Sequence, residues 1–294
     1  MREVGKLMYQ FTLSGFADEI HPDLPVQMAA LKRLGISHIE MRGVNGKNLC
    51  DHTLEEAAAV KKALDENGFR LSSIGSPIGK IKITEDFAPH LAKFRHVLDL
   101  AKLMETRYIR MFSFYVEDGE WDRYHDEVFS RIKQMLSLAK EAGVTLLHEN
   151  EKHIYGDTPE RCLELMEAFS GQGLRAVFDP ANFIQSGAEP FPHAYEMLKP
   201  YIAYMHIKDA KMADGKVTPA GMGDGNVPAI LTDLAKSGFQ GFLSLEPHLT
   251  DFVGFAKLEE MEQGEQEKAA QSEGERCFAL AAGALRNILA GIQA

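Results

Sequence analysis

Short β-rich runs alternate with long helix-patterned segments along the whole chain, and this alternation constrains its fold more than any other feature. In order, the runs are TLSGFA, ISHIEMR, FRLSSIG, YIRMFS, VTLLHE, LRAVFD, IAYMHI and GFLSLE. Several helical segments end in a glycine that leads directly into the next run, as in LKRLGISHIE, LDENGFRLSS and AKEAGVTLL. Because glycine is the usual C-terminal stop of a helix, the pattern predicts eight strands joined by helices.

Eight strands joined by right-handed helical crossovers close most naturally into a (β/α)8 TIM barrel. An open doubly wound sheet is the competing α/β architecture, but the sequence lacks its G-x-G-x-x-G signature after the first strand. A length of 294 residues with 45% hydrophobic residues suits one barrel domain. We therefore predict a single domain over residues 1–294, with a polar insertion or lid at about residues 250–275.

The charge and composition of the chain limit the kinds of partner that it is expected to bind. A formal net charge of -11 disfavours a nucleic-acid partner, because binding a phosphate backbone requires a concentrated cationic surface. The three cysteines are far apart and lack metal-type spacing, as is typical of reduced cytosolic thiols. No segment approaches the ~18 apolar residues of a membrane span. We expect a cytoplasmic protein that binds neither nucleic acid nor membrane.

The last four predicted strands each end on a side chain that can bind a metal ion. Alternate residues of a barrel strand face the interior and the surrounding helices. In LSLE the two leucines suit the helix layer, so the glutamate faces the interior. The same alternation in the three preceding strands gives one set of inward-facing residues at the C-terminal end of the barrel: Glu149, Asp179, His206 and Glu246.

Three carboxylates that converge in a half-buried position repel one another unless a cation holds them. One imidazole combined with carboxylate oxygens suits a divalent ion such as Mn²⁺, Mg²⁺, Co²⁺ or Zn²⁺. The alternative is that each residue is an isolated cap or loop contact. We predict one bound divalent ion, with Mn²⁺ as the first choice.

The motifs around these residues resemble the xylose isomerase-like barrel superfamily, the sugar phosphate isomerase/epimerase group that includes ketose 3-epimerases, hydroxypyruvate isomerase and inosose dehydratase. The matching motifs are HENE, FDPANF, HIKDA, GMGDGNVPAILTDLAKSGFQG and SLEP. The resemblance implies that the four residues bind one metal ion and that Glu149 and Glu246 form the acid/base pair. This sequence has Asn182 where the family often has a histidine, and Lys208 and Lys211 where the epimerases have an arginine.

Five residues are our candidates for substrate binding: Glu40, Lys80, Asn182, Lys208 and Asp209. Glu40 has the inward parity in its strand, although it could instead form a structural ion pair with Arg42. Lys80 could bind a terminal phosphate or carboxylate, or be a solvated surface lysine. His248, directly after the last strand, could be a cap or a further ligand.

We expect a metal-dependent isomerase or epimerase that acts on a sugar or sugar phosphate through an enediolate, with glutamates transferring the proton. The same site could serve an inosose- or dehydroshikimate-type dehydratase. Two alternatives belong to other classes: an endonuclease IV-like DNA repair nuclease, which the short ligand set and the negative charge disfavour, and a non-catalytic sugar-binding barrel. The expected partner is a small-molecule carbohydrate, and barrels of this type often form homo-oligomers.

Overall fold

The computed structural model describes residues 11–249 and 272–293. Its main sheet contains eight parallel strands, which are β1 (Thr12–Gly15), β2 (His38–Met41), β3 (Arg70–Ile74), β4 (Tyr108–Met111), β5 (Thr145–Glu149), β6 (Leu174–Phe178), β7 (Ile202–Ile207) and β8 (Phe242–Leu245). These strands coincide with the eight runs identified in the sequence.

The strands form a nearly closed barrel. From β2 to β8 each strand is hydrogen-bonded to its neighbour in the chain, and β8 is hydrogen-bonded to β1. β1 packs beside β2 at the remaining junction. The predicted (β/α)8 TIM barrel is therefore confirmed.

Helices follow the strands and cover the outside of the barrel. They are α1 (Leu24–Arg33), α2 (Leu54–Glu66), α3 (Phe87–Leu103), α4 (Trp121–Glu141), α5 (Pro159–Phe169), α6 (Pro180–Gln185), α7 (Tyr195–Leu198), α8 (Val227–Lys236) and α9 (Glu273–Gln293). Local signals define their ends; α2, for example, begins at a capping box formed by Thr53 and Glu56. Within the described residues, no helix has the length and apolar character needed to cross a bilayer.

The polar insertion predicted at residues 250–275 falls mainly on residues 250–271, which lie outside the described part of the chain. Only its end is described: Glu273–Glu275 form the first turn of α9.

Part of the barrel interior is filled by the residues two positions before Glu149, Asp179 and His206. Leu147, Val177 and Tyr204 form a separate buried cluster inside the barrel. The Tyr204 hydroxyl lies 2.8 Å from that of Ser72. Because strand side chains alternate with period two, Glu149, Asp179 and His206 stand one layer above this cluster, at the C-terminal end of the strands.

The loop after β3 is held tightly against the loop after β4. Gly79 has φ +90°, and a Cβ added there would lie 1.9 Å from the carbonyl oxygen of Phe112. The Gly79 N–H donates to Nε2 of His90. Both the backbone conformation and the space therefore require glycine at this position.

We predict that Gly79→Ala lowers the free energy of unfolding by more than about 3 kcal/mol, because it combines a left-handed backbone with a clash against another backbone segment. Gly68→Ala is the matched control, since Gly68 also has a positive φ but has open space around its Cβ position. It should cost only about 1–2 kcal/mol. Urea unfolding measures both; equal losses would show that the close approach to Phe112 contributes nothing.

Candidate active site

The structure brings the four strand-end residues together. Nδ1 of His206 lies 3.1 Å from Oε1 of Glu149, 3.6 Å from Oε2 of Glu246 and 3.8 Å from Oδ2 of Asp179. One ligand atom from each residue can be chosen so that all four atoms lie within 4.8 Å of one another. All four side chains are buried. We call these residues the acidic cluster.

Hydrogen bonds from the chain around β5 and β6 fix two members of the acidic cluster. The side chain of Asn150 both accepts from and donates to the backbone of Asp179. Oδ1 of Asp179 accepts a hydrogen bond from the backbone N–H of Asn182, so Asp179 caps the N-terminus of α6. Asn182 also donates from Nδ2 to Oε1 of Glu149 at 3.0 Å. Asn182 therefore orients a glutamate of the acidic cluster.

Lys208 supplies a cation inside the acidic cluster. Its Nζ lies 2.9 Å from Oδ2 of Asp179 and 2.9 Å from Oε2 of Glu246. Burial would raise the pKa of Glu246, but Lys208 and His206 outweigh burial and hold this pKa well below its usual range. Burial likewise opposes the charge of Lys208, yet Asp179 and Glu246 raise the lysine pKa well above its usual value. Both groups are therefore ionised at neutral pH.

Glu149 and Asp179 have pKa values that shift in opposite directions. Burial favours the neutral form of both carboxyl groups. For Glu149, His206 and Arg110 overcome burial and lower the pKa. For Asp179, burial outweighs the attraction of Lys208, and its pKa is raised. Glu149 thus stays ionised over a wider pH range than Asp179.

Two arginines bind the two glutamates, and of these only Arg42 is a candidate from the sequence, as a possible partner of Glu40. Nη1 of Arg110 lies 3.1 Å from Oε2 of Glu149, and Nη1 of Arg42 lies 3.4 Å from Oε1 of Glu246. Both guanidinium groups also lie over the ring of Phe16, at 4.9 and 4.7 Å from its centroid. Strand parity would have identified Arg110, because it shares the inward face of β4 with Tyr108.

A cavity of about 420 Å³ opens beside the acidic cluster, and its size suits a small polar molecule. Glu149 and Glu246 line it, together with the candidate substrate residues Lys80, Asn182 and Lys208. Nζ of Lys80 is 3.2 Å from Oε2 of Glu151 and lies over the ring of Phe112. Lys80 is therefore a half-buried side chain of the cavity wall, which does not fit the alternative of a solvated surface lysine.

The structure places the other two candidates differently. Oε2 of Glu40 lies 3.1 Å from Nε2 of His206, on the ring edge opposite the three carboxylates. Arg42, proposed as its ion-pair partner, instead contacts Asp18 at 2.7 Å. Asp209 accepts N–H groups from Ala210 and from Gly221, Gly223 and Gly225. These positions give no support to the substrate contacts predicted for Glu40 and Asp209.

His248 belongs to a second group of possible metal ligands, with Glu19 and Glu246. Its Nε2 lies 3.1 Å from Oε1 of Glu19 and 3.7 Å from Oε1 of Glu246. Arg42 already stands 3.4 Å from each of these two oxygens. A guanidinium therefore compensates the charge of this second group.

The chain belongs to the xylose isomerase-like TIM barrel family, whose model matches residues 28–273. The rhizopine catabolism protein MocC of Rhizobium meliloti is 24% identical over 277 residues, which cover 82% of this chain and 81% of MocC. An uncharacterized protein of Methanocaldococcus jannaschii is 27% identical over 135 residues, or 43% of this chain. That match spans only 46% of the archaeal protein's own length.

Solved structures share the fold at low identity. A D-tagatose 3-epimerase-like protein superposes with a TM-score of 0.71 at 15% identity and covers 96% of this chain and 98% of its own. The probable 3-DHS dehydratase AsbF of Bacillus anthracis gives 0.65 at 21% identity, with 81% and 92% covered. A xylose isomerase-like TIM barrel protein of Mycobacterium smegmatis, solved in complex with magnesium, gives 0.66 at 16% identity, with 98% of each chain covered.

We predict that Asp209→Asn lowers the free energy of unfolding by about 3 kcal/mol, because an amide nitrogen would then face backbone N–H donors. Asp214→Asn is the matched control: its Oδ1 accepts a single backbone N–H, from Lys216, at an exposed position. It should change stability by less than about 0.5 kcal/mol. Urea unfolding of both variants tests this, and an unchanged Asp209→Asn protein would contradict the structural role of the carboxylate.

Proposed function

We propose that the chain is a divalent-metal-dependent isomerase or epimerase of a small carbohydrate, with Glu149 and Glu246 as the groups that transfer the proton. The observation that carries this proposal is the arrangement of the acidic cluster at the cavity. Two buried glutamates line the same cavity, and each is ionised by its own cationic neighbours. A carboxylate beside a bound substrate can remove a proton next to a carbonyl group.

The acidic cluster fits a divalent ion. Metal–ligand bonds of about 2.0–2.3 Å place ligand atoms no more than about 4.6 Å apart, and the four donor atoms all lie within 4.8 Å of one another. The Lys208 ammonium shows that Asp179 and Glu246 can share one cation. We propose that Glu149, Asp179, His206 and Glu246 hold the ion, with Mn²⁺ first and Mg²⁺, Co²⁺ or Zn²⁺ as alternatives.

The remaining residues would orient the substrate and handle protons. When bound, a divalent ion would supply Lewis-acid polarisation of the substrate carbonyl. One glutamate removes the proton from the neighbouring carbon, which leaves an enediolate. Return of a proton to the opposite face of that carbon gives an epimer, and return to the former carbonyl carbon gives an isomer. Asn182 keeps Glu149 oriented for this transfer.

A dehydratase is the second candidate, and the position of Lys208 favours it. The ammonium group lies at the cavity wall, 2.9 Å from Glu246. It can donate a proton to a departing β-hydroxyl group after a glutamate has removed the proton next to the carbonyl. The solved fold relatives include both an epimerase-like protein and a probable dehydratase, so this choice requires measured turnover.

A turnover screen tests the proposed function. Ketoses, sugar phosphates and inososes are each incubated with the protein and added Mn²⁺, Co²⁺ or Mg²⁺, in D₂O and in H₂O. We expect metal-dependent turnover of one of these classes, with deuterium incorporated at the carbon next to the carbonyl where the removed proton exchanges with solvent. If the protein binds Mn²⁺ but converts none of these compounds, the proposed function is contradicted. The non-catalytic sugar-binding barrel would then be the alternative that fits.

We predict that Glu246→Gln lowers kcat by at least ~10²-fold, because the nearly isosteric amide cannot exchange a proton. Glu160→Gln is the control, since it makes the same change at an exposed carboxylate that contacts His193, and it should leave kcat unchanged. Circular dichroism and Mn²⁺ binding show whether fold and metal are retained. Near-normal kcat in a metal-loaded Glu246→Gln protein would remove Glu246 from the chemistry.

The assembly state and the location of the protein stay predictions. We propose a small-molecule carbohydrate as the partner, a homo-oligomer in solution and a cytoplasmic location. Light scattering at micromolar protein concentration measures the assembly state. A clean monomer would contradict the proposed homo-oligomer.

A further inference from the structure

Glu40 is the buried acid of this site that the proposed chemistry does not use. It lies at 0% exposure in β2, and its Oε2 is 3.1 Å from Nε2 of His206. Its other oxygen, Oε1, is buried and makes no hydrogen bond within the described part of the chain. Burial of a carboxylate with so few partners is costly, so its retention at this position requires a reason other than stability.

The His206 ring stands between Glu40 and the three carboxylates of the acidic cluster. Nε2 faces Glu40, whereas Nδ1 faces Glu149, Asp179 and Glu246. The Phe16 and His206 rings make an edge-to-face contact, with centroids 5.3 Å apart. The orientation of the ring is therefore fixed by a hydrogen bond on each side and an aromatic contact.

A neutral imidazole carries one N–H and one lone pair, and a neighbouring acceptor decides which nitrogen keeps the proton. A divalent ion would take the place of a proton at Nδ1, which now faces Glu149. With Glu40 as the acceptor at Nε2, the remaining proton would stay at Nε2 and the lone pair of Nδ1 would be directed toward the three carboxylates. Carboxylates that accept the second N–H of a metal-binding histidine also raise its basicity.

We propose that Glu40 is a positioning residue that holds His206 in the Nε2–H tautomer and so sets the affinity of the acidic cluster for a divalent ion. This inference rests on the metal site of the proposed function, but not on any substrate. It also replaces the substrate contact predicted for Glu40 from its strand parity.

Titration calorimetry with Mn²⁺ alone tests this role. Glu40→Leu removes the acceptor and should weaken Mn²⁺ binding by about 10–100-fold, whereas Glu40→Gln retains an acceptor oxygen and should restore most of the affinity. Glu275→Gln is the control, because Glu275 is also a buried carboxylate but pairs with Arg33. It should leave Mn²⁺ affinity unchanged. Equal Mn²⁺ affinity in wild type and Glu40→Leu would overturn the inference.

A second measurement separates positioning from a purely structural role. Nitrogen-15 NMR of the Zn²⁺-loaded wild-type protein should show His206 as the Nε2–H tautomer, with the signal assigned by its loss in His206→Gln. An Nδ1–H tautomer, or a wild-type protein that binds no divalent ion, would also overturn the inference. A protein that binds Mn²⁺ and shows this tautomer but converts no sugar would contradict the proposed function alone.

Discussion

Mutual repulsion between buried carboxylates is the constraint on which the rest of this site depends. Glu40, Glu149, Asp179 and Glu246 all lie at the C-terminal end of the barrel with almost no exposure. Such charges are tolerated only beside cations and hydrogen-bond donors. Arg42, Arg110, Lys208 and His206 supply them, and their attraction opposes the effect of burial on both glutamates. The result is a pair of glutamates, Glu149 and Glu246, whose pKa values are lowered and which line the same cavity.

The barrel makes this arrangement rigid. Strand pairing sets the height of each functional side chain, because Ser244 pairs with His206 and Val177 pairs with Glu149 across neighbouring strands. Hydrogen bonds to loops also fix the residues beside the acidic cluster. Asp209, the residue directly after Lys208, accepts hydrogen bonds from the loop that contains Gly221, Gly223 and Gly225. A Cβ added at Gly223 would lie only 2.1 Å from the Asp209 carboxylate. The positions of the side chains in the acidic cluster therefore depend on strand pairing and on the loop contacts of Asp209.

The alternation of β-rich runs and helical segments predicted the fold. Strand parity predicted the convergence of the four strand-end residues, since period-two alternation is a local property. Parity tells which way a residue faces, but not what its side chain reaches. Glu40 faces inward as predicted, yet its partner His206 is 166 residues away in the chain. Arg42 reaches Glu246 across 204 residues, and Asp209 binds a loop rather than the cavity. Such pairings follow from the closed barrel and from long side chains, so no local pattern encodes them.

Anomalous diffraction from a crystal soaked in Mn²⁺ is the most direct test of the central claim that the acidic cluster is the metal site. We expect one anomalous peak, about 2.0–2.3 Å from Glu149, Asp179, His206 and Glu246. Glu19, Glu246 and His248 form the other group in the described residues that could hold an ion. A peak at that group alone, or no peak near either group at saturating Mn²⁺, would contradict a metal site at the acidic cluster.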